Sequence, residues 1–185
     1  MMDYQQVKQA HQQAIDSVFA QQDKIDRLIE QVIASLNAGG KVLWCGNGGS
    51  AADAQHMAAE LMVRYVKNRR PLASIALTTD SSILTAHSND FEFETVFSRQ
   101  VEALAKPGDV LMSLSTSGNS ANVVKAQQQA KSMGVFCVAL TGAAESLLSK
   151  DADLCFQIDA NQTARIQEAH SLISHLLCEG LDLYY

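Results

Sequence analysis

Apolar positions recur along this chain in two rhythms. Between residues 4 and 21, Val7, Ala10, Ala14, Ile15, Val18 and Phe19 return every three or four positions, which predicts an amphipathic helix. A second stripe, Ile25, Leu28, Ile29, Val32, Ile33 and Leu36, predicts another helix, ended by Gly39-Gly40. Short unbroken apolar runs then take over, at 42–46, 74–77, 110–114, 135–140 and 154–158. Runs of that length, separated by helical stretches, read as strands buried on both faces. The intervening pattern predicts helices over 51–60, around Ile83 and Leu84, over 94–105, 121–133 and 146–150, and from 163 to the end. A turn is expected at Ser88-Asn89-Asp90, and Pro71 and Pro107 fall in connections. Alternating strands and helices make an α/β domain with a parallel sheet, whose ligands bind at the carboxyl ends of the strands. The two opening helices stand outside that alternation. Their stripes need a partner, either another subunit or the home domain.

The stretch from 42 to 60 concentrates the chemistry. An apolar run passes directly into Gly46-Asn47-Gly48-Gly49-Ser50 and then into an Ala-rich helical run containing His56 and Glu60. Glycines let a ligand approach the backbone closely, and the free N–H groups of a helix start favour an anion. His56 and Glu60, four residues apart, share one helical face. Such a pair is often only a surface contact, so its meaning depends on the rest of the chain.

A second loop of the same kind follows the third apolar run: Ser115-Thr116-Ser117-Gly118-Asn119-Ser120, then a helix. Helix capping needs one such residue. Four hydroxyls and an amide in six positions suit a phosphate monoester better. No Lys follows these glycines in the Walker manner, and the spacing is not that of a dinucleotide loop.

Composition narrows the class. The 185 residues make one domain, with 1–38 as amino-terminal helices and 39–185 as the α/β core. A net charge of -6 argues against non-specific binding to nucleic acid or anionic membrane. No run reaches membrane-spanning length, and Met1-Met2-Asp3-Tyr4-Gln5-Gln6 has no basic region followed by an apolar one, so no signal peptide is expected. Cys45, Cys137, Cys155 and Cys178 lack paired spacing and read as free thiols, which points to a reducing, cytoplasmic setting.

Gly46-Asn47-Gly48-Gly49-Ser50 and Ser115-Thr116-Ser117-Gly118-Asn119-Ser120, with Asn89-Asp90 and Ala164-Arg165-Ile166-Gln167-Glu168, resemble the SIS (sugar isomerase) family and, within it, the phosphoheptose isomerases. The likeness runs from about residue 4 to the end. It implies a three-layer α/β/α sandwich around a five-stranded parallel sheet in flavodoxin-like order. It implies interconversion of sedoheptulose 7-phosphate and D-glycero-D-manno-heptose 7-phosphate through an enediol, the first step toward the heptose of bacterial lipopolysaccharide. Carried over by residue, Asn47, Gly48, Gly49, Asn89, Asp90 and Gln167 would contact substrate, and Ser115, Thr116, Ser117 and Ser120 would cradle its phosphate. Glu60, also in contact with substrate, and His175 would form the catalytic pair. His56, Glu60, Gln167 and His175 would hold one zinc ion per subunit. No role falls to His11, His87 or His170. Two positions depart from the family's pattern: Thr141-Gly142 leads into the shorter Ala143-Ala144-Glu145-Ser146, and Ala164 replaces an acidic residue found in some members.

The chemistry suits these residues independently. Moving a proton between adjacent carbons needs a base at carbon and an acid at oxygen, which a carboxylate and an imidazole can share. Gln167 and His175, however, are eight residues apart, about 12 Å along a straight helix at 1.5 Å per residue. One ion can scarcely be reached by both from one helix. The resemblance implies a homotetramer with interfacial sites, in which Glu60 and His175 are expected to meet across a subunit boundary. The competing reading is a non-catalytic SIS tetramer that binds the bacterial replication initiator; such relatives lack the catalytic pair, and both its members stand here. A sugar-phosphate-sensing SIS module would ordinarily be fused to a further domain.

Overall fold

The computed structural model describes residues 1–185. Two helices, α1 (Tyr4–Phe19) and α2 (Gln22–Asn37), precede the alternating part. There β1 (Val42–Gly46), α3 (Gly49–Met62), β2 (Ser74–Ala76), α4 (Ser81–Asp90), a 3-10 turn (Phe93–Thr95) and α5 (Val96–Leu104) follow in order. Then come β3 (Val110–Leu114), α6 (Ala121–Ser132), β4 (Phe136–Gly142), α7 (Leu147–Asp151), β5 (Leu154–Ile158) and α8 (Thr163–Tyr184). The five strands form one parallel sheet in the order β2-β1-β3-β4-β5, the flavodoxin-like order expected.

The chain leaves β1 toward β2 on one side and later returns to β3 on the other. The crevice between the carboxyl ends of β1 and β3 is therefore the point where the winding reverses, the usual ligand position in such sheets. Register matters here. Val42 pairs with Val110 and Gly46 with Leu114, so the loops that follow β1 and β3 emerge side by side.

Two apolar layers cover the sheet. On one face Val42, Trp44, Met112 and Leu140 pack with α1, α2, α3 and α8. On the other, Leu43, Leu111, Cys137 and Ala139 pack with α5, α6 and α7. Both faces of β1, β3 and the inner part of β4 are buried, which is why these segments are unbroken apolar runs.

The home domain supplies the partner for the opening helices. Ala14 and Val18 of α1, and Ile25, Leu28, Val32 and Leu36 of α2, lie in the first layer. Burying each of the larger side chains contributes about 1.5–3 kcal/mol. Gly180 of α8 makes the docking possible, because a Cβ there would run into Ile29. Tyr4 and Val7 at the start of α1 and Phe19 at its end are left exposed.

The expected turn at Ser88-Asn89-Asp90 is instead the last part of α4. The polar residues that signal a turn satisfy themselves on the helix: Thr85 Oγ1 donates to Ser81 O and Ser88 Oγ to Leu84 O. The predicted helix over 94–105 opens with the tighter 3-10 turn before continuing as α5. No helix is long and apolar enough to cross a membrane.

Candidate active site

The loop after β1 enters α3 at Gly48, a residue with no side chain to cap the helix. No side chain caps the first α3 amides; Ser50 and Ala51 N–H donate to Asn47 O and Gly48 O of the loop itself. Asn47 beside it is tied across the crevice: Asn47 Nδ2 donates to Asn122 Oδ1 at 2.8 Å, and Asn122 Nδ2 returns a bond to Asn47 Oδ1 at 2.9 Å. Gly49 carries the Gln167 carboxamide against its backbone; a Cβ there would stand 2.5 Å from Gln167 Nε2. Three of the expected substrate contacts, Asn47, Gly48 and Gly49, thus lie together with Gln167.

The loop after β3 forms a cluster of hydroxyls. Ser115 Oγ is 2.9 Å from Ser120 Oγ and 3.4 Å from Ser117 Oγ. Ser120 occupies the cap position of α6, yet its side chain makes no capping bond. Its hydroxyl turns toward Ser115, leaving the helix start open to an anion. Gly118 has φ 65°, and a Cβ on it would collide with Ser146 Oγ. The start of α7 braces the loop, because Leu148 N–H donates to Gly118 O and Leu147 N–H to Asn119 Oδ1. Thr116 O accepts from Gly142 N–H at the end of β4. Ser115, Thr116, Ser117 and Ser120 are therefore held as one unit.

The titratable residues gather farther along α3. Contacts between α3 and α8 advance in the same direction on both helices, from Gly49 with Gln167, through Asp53 Oδ1 accepting from Ser171 Oγ at 3.1 Å, to His56 beside His175. The His56 and His175 rings stand edge to face, with centroids 5.2 Å apart. Glu60 Oε1 lies 3.2 Å from His56 Nε2, and the Tyr65 ring is 5.7 Å from that of His175. His56 therefore touches both Glu60 and His175 of its own chain. Two helices lying side by side in the same direction bring their facing positions together, so the spacing of Gln167 and His175 along α8 does not by itself require a subunit boundary between Glu60 and His175.

The surroundings of this group are charged and braced. Burial pushes the Asp53 carboxyl above its ordinary range, against the opposing Ser171 hydrogen bond and the nearby His56 and His175. Burial, with Glu179 and Glu60 nearby, raises the Tyr65 phenol as well. Below Glu60, Arg69 Nη2 donates to Glu60 O and Nη1 to Leu61 O, each at 3.0 Å. Arg69 Nε pairs with Asp182 Oδ1 at 2.8 Å, while Asp182 Oδ2 accepts from the Val66 and Lys67 amides. A cleft of about 400 Å³ opens beside Tyr65, lined also by Val66, Glu179 and Leu183.

Two imidazoles and a carboxylate are zinc ligands in kind. No three His, Cys, Asp or Glu side chains converge tightly enough to enclose an ion, so closing on one requires side-chain rotation. Gln167 stands at Gly49, about 12 Å along α8 from His175 at 1.5 Å per residue. Asn89 and Asp90 are exposed at the end of α4, where Asn89 Nδ2 donates to Asp90 Oδ1. They join neither loop. His170 is buried, its Nε2 donating to Thr141 O, and burial drives its pKa down to about 4. His11 pairs with Glu168 and His87 with Thr95.

Residues 4–142 match the model of the SIS domain. The chain is 57% identical over 147 residues to the phosphoheptose isomerase of Rhodospirillum rubrum, covering 80% of this chain and 78% of that protein. It is 52% identical over 173 residues to that of Helicobacter hepaticus, covering 94% and 88%. Among solved structures, the phosphoheptose isomerase of Neisseria gonorrhoeae superposes with a TM-score of 0.90 at 39% identity, covering 97% of this chain and 96% of that one. The enzyme from Francisella tularensis gives 0.89 at 32% identity, covering 99% and 100%. Fold, loops and relatives agree that the chain belongs to the phosphoheptose isomerase family of SIS-domain proteins.

Proposed function

We propose that this protein interconverts sedoheptulose 7-phosphate and D-glycero-D-manno-heptose 7-phosphate, supplying the heptose of bacterial lipopolysaccharide. The observation that carries the reading is the Ser120 hydroxyl, which turns into the loop toward Ser115 instead of capping α6. A phosphate takes its place at the helix start, accepting from Ser115, Thr116, Ser117 and Ser120 and from the α6 amides. Asn47, Gly48, Gly49 and Gln167 receive the sugar.

The reaction then needs only proton transfers. Glu60 removes a proton from C1 of the open-chain ketose while His175 protonates O2, giving the enediol. Glu60 returns a proton to C2 and His175 takes one from O1, leaving the aldehyde. General acid–base groups of this sort contribute about 10²–10⁴-fold. A zinc ion, if held by His56, Glu60, His175 and Gln167, would polarise a substrate oxygen.

The site is completed by a second copy of the chain in a homotetramer. His56 lies seven residues beyond Gly49, about 10 Å down α3 at 1.5 Å per residue, so the acid–base group stands away from its own sugar loop. Exposed Val63, Val66 and Leu183 surround it with apolar surface. In this arrangement the loops and Gln167 of one subunit face His56, Glu60 and His175 of its neighbour, and Asn89 and Asp90 also reach a neighbouring site. The four free cysteines fit a cytoplasmic setting. Incubating the purified protein with sedoheptulose 7-phosphate and identifying the aldose 7-phosphate tests the function; unchanged ketose at all protein concentrations would refute it.

A further inference from the structure

We propose that Asn122 is a positioning residue for this isomerisation, acting through the orientation it imposes on Asn47. The inference rests on the function proposed above. Asn122 is the second residue of α6, 3% exposed, and its side chain bonds to Asn47 alone. The two carboxamides pair head to tail, each giving one N–H and accepting one. Each therefore keeps one N–H and one acceptor site uncommitted. On Asn47 these lie on the loop that faces the crevice, so a side chain that would otherwise rotate on a Gly-flanked turn presents its donor and acceptor in one fixed sense.

The pair also couples two loops with different tasks. Asn122 stands two residues after Ser120, at the end of the hydroxyl cluster, whereas Asn47 directly precedes the Gly48-Gly49 approach to Gln167. The β1–β3 register brings the loops level, and the amide pair sets their separation. A phosphate group binds through the hydroxyls and α6 amides whether or not the pair exists. The placement of the reacting carbons relative to that phosphate does depend on it. A misplacement of about 1 Å can cost on the order of 100-fold in rate.

The test uses the full-length protein and its Asn122→Ala, Asn122→Ser, Asn47→Ala and doubly substituted Asn47→Ala/Asn122→Ala variants. For each, kcat and KM with sedoheptulose 7-phosphate, the inhibition constant of inorganic phosphate and the thermal midpoint are measured. Asn122→Ala is expected to lose about ten- to a hundredfold in kcat, with phosphate inhibition within about twofold of the parent. Asn47→Ala should lose a similar factor, and the double variant should lose no more than the worse single one, as for two residues acting as a unit. A kcat within about twofold of the parent, phosphate inhibition weakening in step with kcat, or losses that multiply in the double variant would each overturn the proposal. If Asn122→Ala and Asn122→Ser both fail to fold, Asn122 serves the fold and not the reaction, which overturns it too. Absence of turnover in the parent instead defeats the proposed function and this inference with it, and is seen before any variant is compared.

Discussion

The imidazoles of His56 and His175 meet edge to face within one chain, 5.2 Å between centroids and 74° between planes. Glu60 is held in the same group through His56. Glu60→Gln and His175→Ala should therefore each be nearly inactive, and mixed oligomers of the two should stay so, because every acid–base group then lacks a member. Mixing Glu60→Gln with a Ser115→Ala/Ser120→Ala chain should instead restore a measurable fraction of activity, since one chain supplies the cradle and the other the acid–base group. Doubly tagged oligomers reveal both outcomes. Rescue in the first mixture, or none in the second, contradicts this division of the site.

Ser120→Ala separates a cap from a cradle. Losing a capping hydroxyl costs about 1 kcal/mol of stability, whereas Ser120 makes no capping bond. The thermal midpoint should thus hold, while affinity for the phosphosugar falls about tenfold or more, the weight of a hydrogen bond to a charged group. Calorimetric titration alongside thermal unfolding distinguishes the two roles.

Gly118→Ala should impair both fold and binding. The residue has φ 65° and no room for a Cβ beside Ser146. A left-handed conformation alone costs a non-glycine residue roughly 1–2 kcal/mol. Displacing Ser146 adds to this and loosens the brace between α7 and the loop. A lower unfolding midpoint with weaker phosphate inhibition is expected.

The Arg69–Asp182 pair fixes the end of α3 beneath Glu60. Arg69 is fully buried at its side chain, so Arg69→Met, which strands Asp182, should cost about 3–5 kcal/mol. Burial alone would raise the Asp182 carboxyl, but the Lys67 and Val66 amides and Arg69 outweigh it and hold it below 3.8. Because the folded value is depressed, the pair's contribution is complete above pH 3.8 and is lost as pH falls through the lower folded value. Acid unfolding curves of the parent should show that loss, and Asp182→Asn should flatten it.

The strands and the two loops that follow β1 and β3 were legible in the sequence because their signals are local. Runs buried on both faces are apolar without interruption, and four hydroxyls in six residues exceed what capping needs. Features joining distant positions left no such mark. Asn47 and Asn122 are 75 residues apart, and Arg69 and Asp182 are 113 apart. The amphipathic stripes of α1 and α2 announced a partner without saying which, since the gap at Gly180 that admits Ile29 exists only once α8 is folded. The end of α4 was misread because Thr85 and Ser88 hydrogen-bond back to the helix. Spacing on α8 showed that Gln167 and His175 stand far apart along one helix; it did not reveal that α3 runs alongside and brings His56 to His175 in the same chain.

The most direct test of the central claim is the isomerisation run in deuterium oxide with the parent protein and Glu60→Gln, the metal content of both being measured. Over repeated passage through the enediol to equilibrium, the proton carried by Glu60 exchanges with solvent and deuterium accumulates at C2 of the heptose 7-phosphate formed by the parent. Glu60→Gln should lose at least about 10²-fold in turnover, the lower range for a general base, at unchanged fold. Aldose still without deuterium at C2 at equilibrium, or a Glu60→Gln variant turning over within a few-fold of the parent, would contradict the account.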